Sequence, residues 1–376
     1  MPVNFDNAAT TFPKPEMVIR AASYAMEKLG GNAGRGGHAL AMKSAAEIYS
    51  AREVIAGFFD AQPENVVFTL NCTHALNMAI QGIMNDGGHM IISSLEHNSV
   101  ARPAAALASA KKASMSIAKV YPEDHRTVES FRSLIRSDTK AIVCTLASNV
   151  TGQLLPWRDI AALCRERDIC FIADGAQACG VTDVKLSDGI NILCTAGHKG
   201  LYGLAGTGLL ISDGKYPIVP IIQGGTGTAS SSLAQPLLLP EALESGTLNL
   251  SGIMSLKAGV EFVKRIGIEK IYAHESSLCR LFMNELKGNE KITFLRQPQA
   301  SYVPIVSFTI DGIQPETAAA KLSSAGYYLR AGFHCAALAH NYLGTENGTI
   351  RFAPSVFSKK SDVSGLCEKI KLIIPE

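Results

Sequence analysis

From residue 65 onward, short apolar runs alternate with amphipathic stretches. Runs at 65–69, 89–93, 114–120, 140–146, 169–173, 190–195 and 207–212 are too short for ordinary helices and rich in β-branched residues, so they are expected strands. Helical spacing fills most of the gaps between them. Strands without polar alternation, separated by helices, predict a mostly parallel sheet covered on both faces. Upstream, residues 15–29 have helical spacing that stops at Gly30-Gly31, and 39–59 read as a second, Ala-rich helix. Residues 224–244 hold no period and are rich in Gly, Ser and Pro, which predicts a long functional loop.

A long helical stretch starts at Ser251, with strands near 303–310 and 349–352 and helices near 315–325 and 361–373. That mixture predicts an α+β part distinct from the alternating one. At 376 residues the chain exceeds one typical core. The expected division is a large α/β domain over 15–250 and a smaller α+β domain made of 1–14 and 251–376. No internal repeat or low-complexity segment interrupts it.

Composition narrows the class. Hydrophobic residues make up 47% and charged residues 18%, and the net charge is +2 with both signs interspersed. Such a balance gives no field for nucleic acid or an acidic membrane. The first residues lack a basic and apolar leader pattern, and no apolar run reaches membrane-spanning length, so the expected location is the cytoplasm. Nine scattered cysteines form no paired framework, which suits reduced core thiols. The triplets at Asn71, Asn149 and Asn347 resemble glycosylation acceptors, but without a secretory signal those asparagines need another use.

Candidate chemistry gathers at strand ends. The stretch Thr195-Ala-Gly-His-Lys199-Gly follows an expected strand and runs into glycines at 203, 206 and 208. A surface lysine is the ordinary reading of Lys199. Its place past a buried strand, and glycines that let the backbone approach something bulky and flat, suit a lysine that forms a Schiff base. His198 adds a possible phosphate donor. Asp174 ends the preceding strand, either as a helix cap or as the partner of a pyridinium nitrogen, the group that keeps pyridoxal phosphate (PLP) an electron sink. No P-loop occurs, the glycines at 30–37 follow a helix rather than a strand, and His334, Cys335 and His340 are too few for zinc.

In combination the motifs Ser94-Leu-Glu-His97, Ser148-Asn149-Val, Asp174-Gly-Ala-Gln177, Gly197-His-Lys199, Gly246-Thr247-Leu-Asn249 and Arg330-Ala-Gly-Phe-His-Cys335 carry a resemblance. The chain resembles the class V aminotransferase group of fold-type I PLP enzymes, and within it the cysteine desulfurases and selenocysteine lyases. The resemblance implies PLP on Lys199, which then carries a proton, with His97 stacked on the ring. It also implies Gln177 and Asn149 at the ring edge, and Thr73, His74 and His198 near the phosphate. Thr247 would serve the phosphate of a neighbouring subunit in a homodimer with shared sites. Arg351, with Asn149 and Arg330, would meet the substrate carboxylate, and Cys335 would take sulfur from L-cysteine, or selenium from L-selenocysteine, leaving alanine and passing the atom to an acceptor protein. No metal is implied. Two positions depart from the family pattern: Ala196 stands where a phosphate-binding serine is common, and Phe333 where a second histidine is frequent. Another class V aminotransferase or lyase that does not use Cys335, and a scaffold without turnover, are the competing readings.

Overall fold

The computed structural model describes residues 2–375 apart from Arg35 and Ala229. A short strand β1 (Val3–Asn4) precedes α1 (Glu16–Lys28) and α2 (Ala39–Phe59). The alternating region then runs β2 (Val66–Thr69), α3 (Cys72–Ile83), β3 (His89–Ser93), α4 (Asn98–Ser109), β4 (Ser114–Ala118), α5 (Asp124–Arg132), β5 (Thr139–Thr145), α6 (Trp157–Glu166), β6 (Cys170–Asp174), β7 (Ile192–Ala196) and β8 (Gly208–Ser212).

These strands form a seven-stranded sheet in the order β2-β8-β7-β6-β5-β3-β4. Neighbours from β7 through β4 are parallel, whereas β8 runs antiparallel to both β7 and β2. The link between β7 and β8 contains no helix, so the chain turns back beside itself. Alternate residues of each strand face opposite layers. Ile91, Ile142, Phe171 and Leu193 join the core under α2 and α6, while Ile92, Val143, Ile172 and Cys194 join the core under α3 and α4. Burial on both faces explains why these strands read as apolar runs.

The C-terminal part comprises α7 (Leu250–Ile266), α8 (Ile268–Leu286), β9 (Ile292–Phe294), β10 (Val306–Ile310), α9 (Pro315–Ser324), β11 (Tyr327–Tyr328), β12 (Arg330–Gly332), α10 (Ala337–Leu343), β13 (Thr349–Phe352) and α11 (Lys360–Ile373). The helical stretch expected from Ser251 is two helices, broken at Gly267, whose φ of 93° suits a residue without a side chain. Helix α7 packs Ile253, Leu256 and Val260 into the core of the large sheet. A four-stranded antiparallel sheet, β12-β13-β10-β9, lies against α8, α9 and α11 over a third core, where Phe282 stacks on Phe352 with centroids 4.3 Å apart. Strand β1 pairs with β11 and brings the N-terminal residues to this part.

Residues 213–249 contain no helix or strand among those described. The buried Arg52–Glu244 ion pair pins this segment to α2, and Glu244 also accepts from the Phe68 N–H at 2.7 Å. Among the described residues no helix is long and apolar enough to cross a membrane.

Candidate active site

Strands β2, β3, β5, β6 and β7 direct their carboxyl ends to one edge of the sheet. The chain leaves β3 for β4 on one side and later returns through β5 on the other, and ligands bind in the crevice that such a reversal opens. A cavity of about 220 Å³ lies there. Lys199, Asp174, His97, Gln177, His198 and Thr73 line it, together with Asn149, Arg330 and Arg351.

Lys199 sits just past β7. The Thr11 hydroxyl donates to its carbonyl at 2.8 Å, and the Lys14 ammonium to the His198 carbonyl at 2.9 Å, so the N-terminal segment steadies the turn. Loss of hydration lowers the Lys199 pKa, Asp174 and Cys72 oppose that shift, and the guanidinium groups of Arg351 and Arg330 add to it. The neutral amine that attacks a carbonyl is thereby favoured. Two of the nearby glycines make room for the protein's own main chain. A Cβ on Gly200 would lie 2.4 Å from the Cys179 carbonyl oxygen, and one on Gly208 would lie 2.5 Å from the backbone of Asn71, so both accommodate protein main chain.

Asp174 ends β6 with 3% of its surface exposed. Its Oδ1 accepts from the Ala176 N–H at 2.9 Å and the Cys72 thiol at 3.4 Å. A turn follows rather than a helix, which removes the helix-cap reading and leaves a buried carboxylate on the cavity wall. His97 itself caps α4. Its Nδ1 accepts the Ser99 N–H at 3.0 Å, which leaves Nε2 to carry the ring proton. Burial pushes its pKa down to about 4 despite the pull of Asp174, so the ring is neutral at pH 7. Burial and the cations Lys199 and Lys14 likewise push His198 down to about 4. The Gln177 amide donates to the Ala8 carbonyl at 3.0 Å.

Thr73 lies in the first turn of α3, where N–H groups lack helical partners. Asn71 caps this helix by accepting the His74 N–H at 2.9 Å, which gives one of the three triplet asparagines its use. His74 does not line the cavity; its Nδ1 accepts from the Leu70 N–H at 3.3 Å. Thr247 is also elsewhere, beside Arg52 and Glu244 in a separate cavity of about 530 Å³. Ala196 lines the first cavity, and the neighbouring Thr195 cannot replace the missing hydroxyl because its own bonds to the Gly175 carbonyl at 3.3 Å.

Arg351 is held at two points. Nη1 donates to the Asn149 carbonyl at 2.9 Å and Nη2 to Asp6 at 3.0 Å, while the buried Nε has no partner. Asn149 donates to the His334 carbonyl at 2.7 Å, leaving its buried Oδ1 unpaired. That bond ties the large sheet to the loop carrying Cys335.

Eight of the nine cysteines are buried, and Cys335 is exposed. Burial raises the thiol pKa of the interior ones, Cys179 to about 12 for example. Arg330 Nη2 stands 3.3 Å from Cys335 Sγ, and the Cys335 carbonyl accepts from the Asn98 N–H at 2.8 Å. His334 and Cys335 have φ of 48° and 57°, a left-handed pair of non-glycine residues of the kind that collects at functional sites. Phe333 is 48% exposed beside them.

Cys72, Ser99, Thr145 and His334 also line the cavity, and Asp6 supports it from outside. Sequence reasoning missed their roles. For Asp6 the local sequence carries no signal that it would meet Arg351, 345 positions away.

Residues 3–366 match the family model for class-V aminotransferases. A probable cysteine desulfurase of Methanothermobacter thermautotrophicus is 28% identical over 98% of this chain and 94% of its own, and one of Pyrococcus abyssi is 27% identical over 96% and 91%. The apo structure of a cysteine desulfurase from Thermococcus onnurineus matches with a TM-score of 0.93 at 26% identity, covering 99% of this chain and 94% of that one. The Escherichia coli cysteine desulfurase CsdA, solved as its S-sulfonic acid, matches with a TM-score of 0.88 at 25% identity over the same shares. With the family match running almost end to end, the chain belongs to the class-V aminotransferase family.

Proposed function

We propose that this chain is a PLP-dependent cysteine desulfurase that converts L-cysteine to L-alanine and keeps the sulfur as a persulfide on Cys335, with L-selenocysteine as a second substrate. The observation that carries the proposal is Cys335, an exposed thiol touching Arg330 beside a cavity that also holds Lys199 and Asp174. The cavity suits the cofactor chemically. Asn149 Oδ1, His198 Nδ1 and Arg351 Nε are buried without partners, and unpaired atoms of residues lining one cavity mark a place where a polar ligand completes the bonding.

When bound, PLP supplies an electron sink for cleavage at the substrate's α and β carbons. We assign Lys199 Nζ as its attachment point and then as the base and acid that moves the α proton. Asp174 is assigned to the ring nitrogen, His97 to the ring face, and Gln177 to the ring edge with Asn149. Thr73, the α3 N-terminus and His198 are assigned to the phosphate, His74 supporting that turn from behind. Arg351 orients the substrate carboxylate, with Asn149 and Arg330 alongside, because a planar fork matches two oxygens. Cys335 Sγ then bonds to the substrate sulfur; the carbon–sulfur bond breaks, and the carbon keeps the electron pair and gains a proton to give alanine.

We also read the chain as working in two parts, 15–250 against 1–14 with 251–376, the second anchored to the first by α7, which packs into the core of the large sheet, and as a homodimer in which Thr247 serves the site of a second copy. A reducing, cytoplasmic setting with an acceptor protein for the sulfur accords with nine free thiols. The test is to incubate the PLP-loaded protein with L-cysteine and, separately, L-selenocysteine, and to measure alanine and protein persulfide. Alanine with persulfide on Cys335 is expected from cysteine. Undiminished alanine release by Cys335→Ser would move the reaction to another class V chemistry.

A further inference from the structure

A groove of about 640 Å³ opens between α3 and α4 on the outer side of His97. It shares Thr73, His97 and Ser99 with the inner cavity, and Cys335 lies in its wall. The bond from the Asn98 N–H to the Cys335 carbonyl, 2.8 Å long, holds the sulfur-bearing residue at the start of α4. Along α4 and just beyond it the groove carries Arg102 and Lys112, and among the described residues no carboxylate lines it. Among the described residues, neither cationic head group has an ion-pair or hydrogen-bond partner.

The volume is that of a small-molecule site, and unopposed cations suit an anion. We propose that this groove seats a small anionic thiol that accepts sulfur from Cys335. The inference rests on the desulfurase reading above. The incoming thiolate attacks the outer sulfur of the Cys335 persulfide; a new sulfur–sulfur bond forms, the bond to Sγ breaks, and its electron pair returns to Cys335 as thiolate. One sulfur changes hands and no oxidant is consumed.

The experiment first loads the holoenzyme with persulfide by one exposure to L-cysteine, measuring the alanine burst. The desalted protein is then mixed with mercaptosuccinate, 2-mercaptoethanol or cysteamine at equal thiolate concentration, and persulfide loss is followed by intact mass. In the Arg102→Gln/Lys112→Gln protein, transfer to mercaptosuccinate is expected to slow about fivefold, transfer to neutral 2-mercaptoethanol to stay within about twofold, and added salt to erase the wild-type preference. Both residues are exposed, and an unchanged alanine burst in the variant shows that fold and cofactor are intact. A normal burst followed by equal slowing for all three thiols, or by an unchanged mercaptosuccinate rate, overturns the groove assignment alone. Wild-type persulfide that survives all three thiols overturns it in favour of a protein acceptor. Absence of the alanine burst removes the desulfurase reading and the groove's role with it.

Discussion

Replacing Arg351 with glutamine tests the assigned carboxylate site where the structure is most explicit. A guanidinium has five N–H donors. One goes to the Asn149 carbonyl and one to Asp6, and Nε is buried without a partner, so donors remain for a substrate. Hydrogen bonds to charged groups are worth about 1.5–3 kcal/mol each. Losing the cation and its two-pronged contact should cost about 3 kcal/mol, or roughly 150-fold in kcat/KM. The substrate carboxylate keeps its charge throughout the reaction, so the contact stabilises bound substrate and transition state alike. The loss should therefore appear in KM, with kcat changed much less. Arg351→Lys keeps the charge without the fork and should fall between the two proteins. Asp6, 30% exposed at its side chain, can recover hydration when its partner is removed, which limits the structural damage. Alanine release over a range of L-cysteine concentrations gives both constants, and cofactor absorbance reports on loading. A fully loaded Arg351→Gln protein with KM within twofold of wild type would falsify the assignment.

Other perturbations follow from buried charge. Arg52→Met strands Glu244 in the core, a cost of about 4 kcal/mol; with an unfolding entropy of roughly 0.8 kcal/mol/K for a chain of this length, thermal unfolding should drop about 5 °C, and an unchanged melting curve would count against the pair. Glu96 accepts from the Ser93 hydroxyl and the Thr145 N–H, and burial pushes its pKa up to about 8 from an ordinary value near 4.5. Because the folded carboxyl holds its proton more tightly than the unfolded one, its contribution to stability is greatest below the unfolded value and is lost as pH rises toward 8. Glu96→Gln should thus gain stability relative to wild type between pH 5 and pH 8 in urea titrations; a constant difference would show that the carboxyl is ionised in the fold. Borohydride reduction of the holoprotein should attach the cofactor's mass to the peptide containing Lys199, and the Lys199→Ala protein should show no such adduct anywhere. An adduct on another lysine would reassign the attachment point.

Much of the large sheet is legible in the sequence because its strands are buried on both faces and so stand out as apolar runs. The expected helix at 39–59 coincides with α2. Strands β1, β11 and β12, of two or three residues, are too short to display a period and are seen only through their pairing partners. The site divides along the same line. Lys199 and Asp174 can be picked out because one follows a strand and the other ends one, positions with chemical meaning in an open sheet. The partnership of Asp6 with Arg351 spans 345 positions, and no local pattern encodes it. The exposure of Cys335 among nine cysteines likewise depends on which segments cover the other eight. Glycines at 200 and 208 mark close approach in the sequence, but only the assembled fold shows that the neighbour is backbone.

Two of the ties that fix the Cys335 loop to the rest of the molecule, Asn149 to the His334 carbonyl and the Asn98 N–H to the Cys335 carbonyl, end on main-chain oxygen, while the His334 side chain adds a bond to the Thr349 hydroxyl at 2.9 Å. Every amino acid has a main-chain oxygen, so neither of the first two ties depends on the side chain it holds. Phe333, next to them and half exposed, meets the His340 ring edge-on with centroids 5.3 Å apart, so exchanging it gives up that contact while the two main-chain ties, and the sulfur with them, stay where they are. The loop separates what must be kept from what can be exchanged, and a library at this one position should yield enzymes that differ in which molecules they admit while sharing one geometry of sulfur capture.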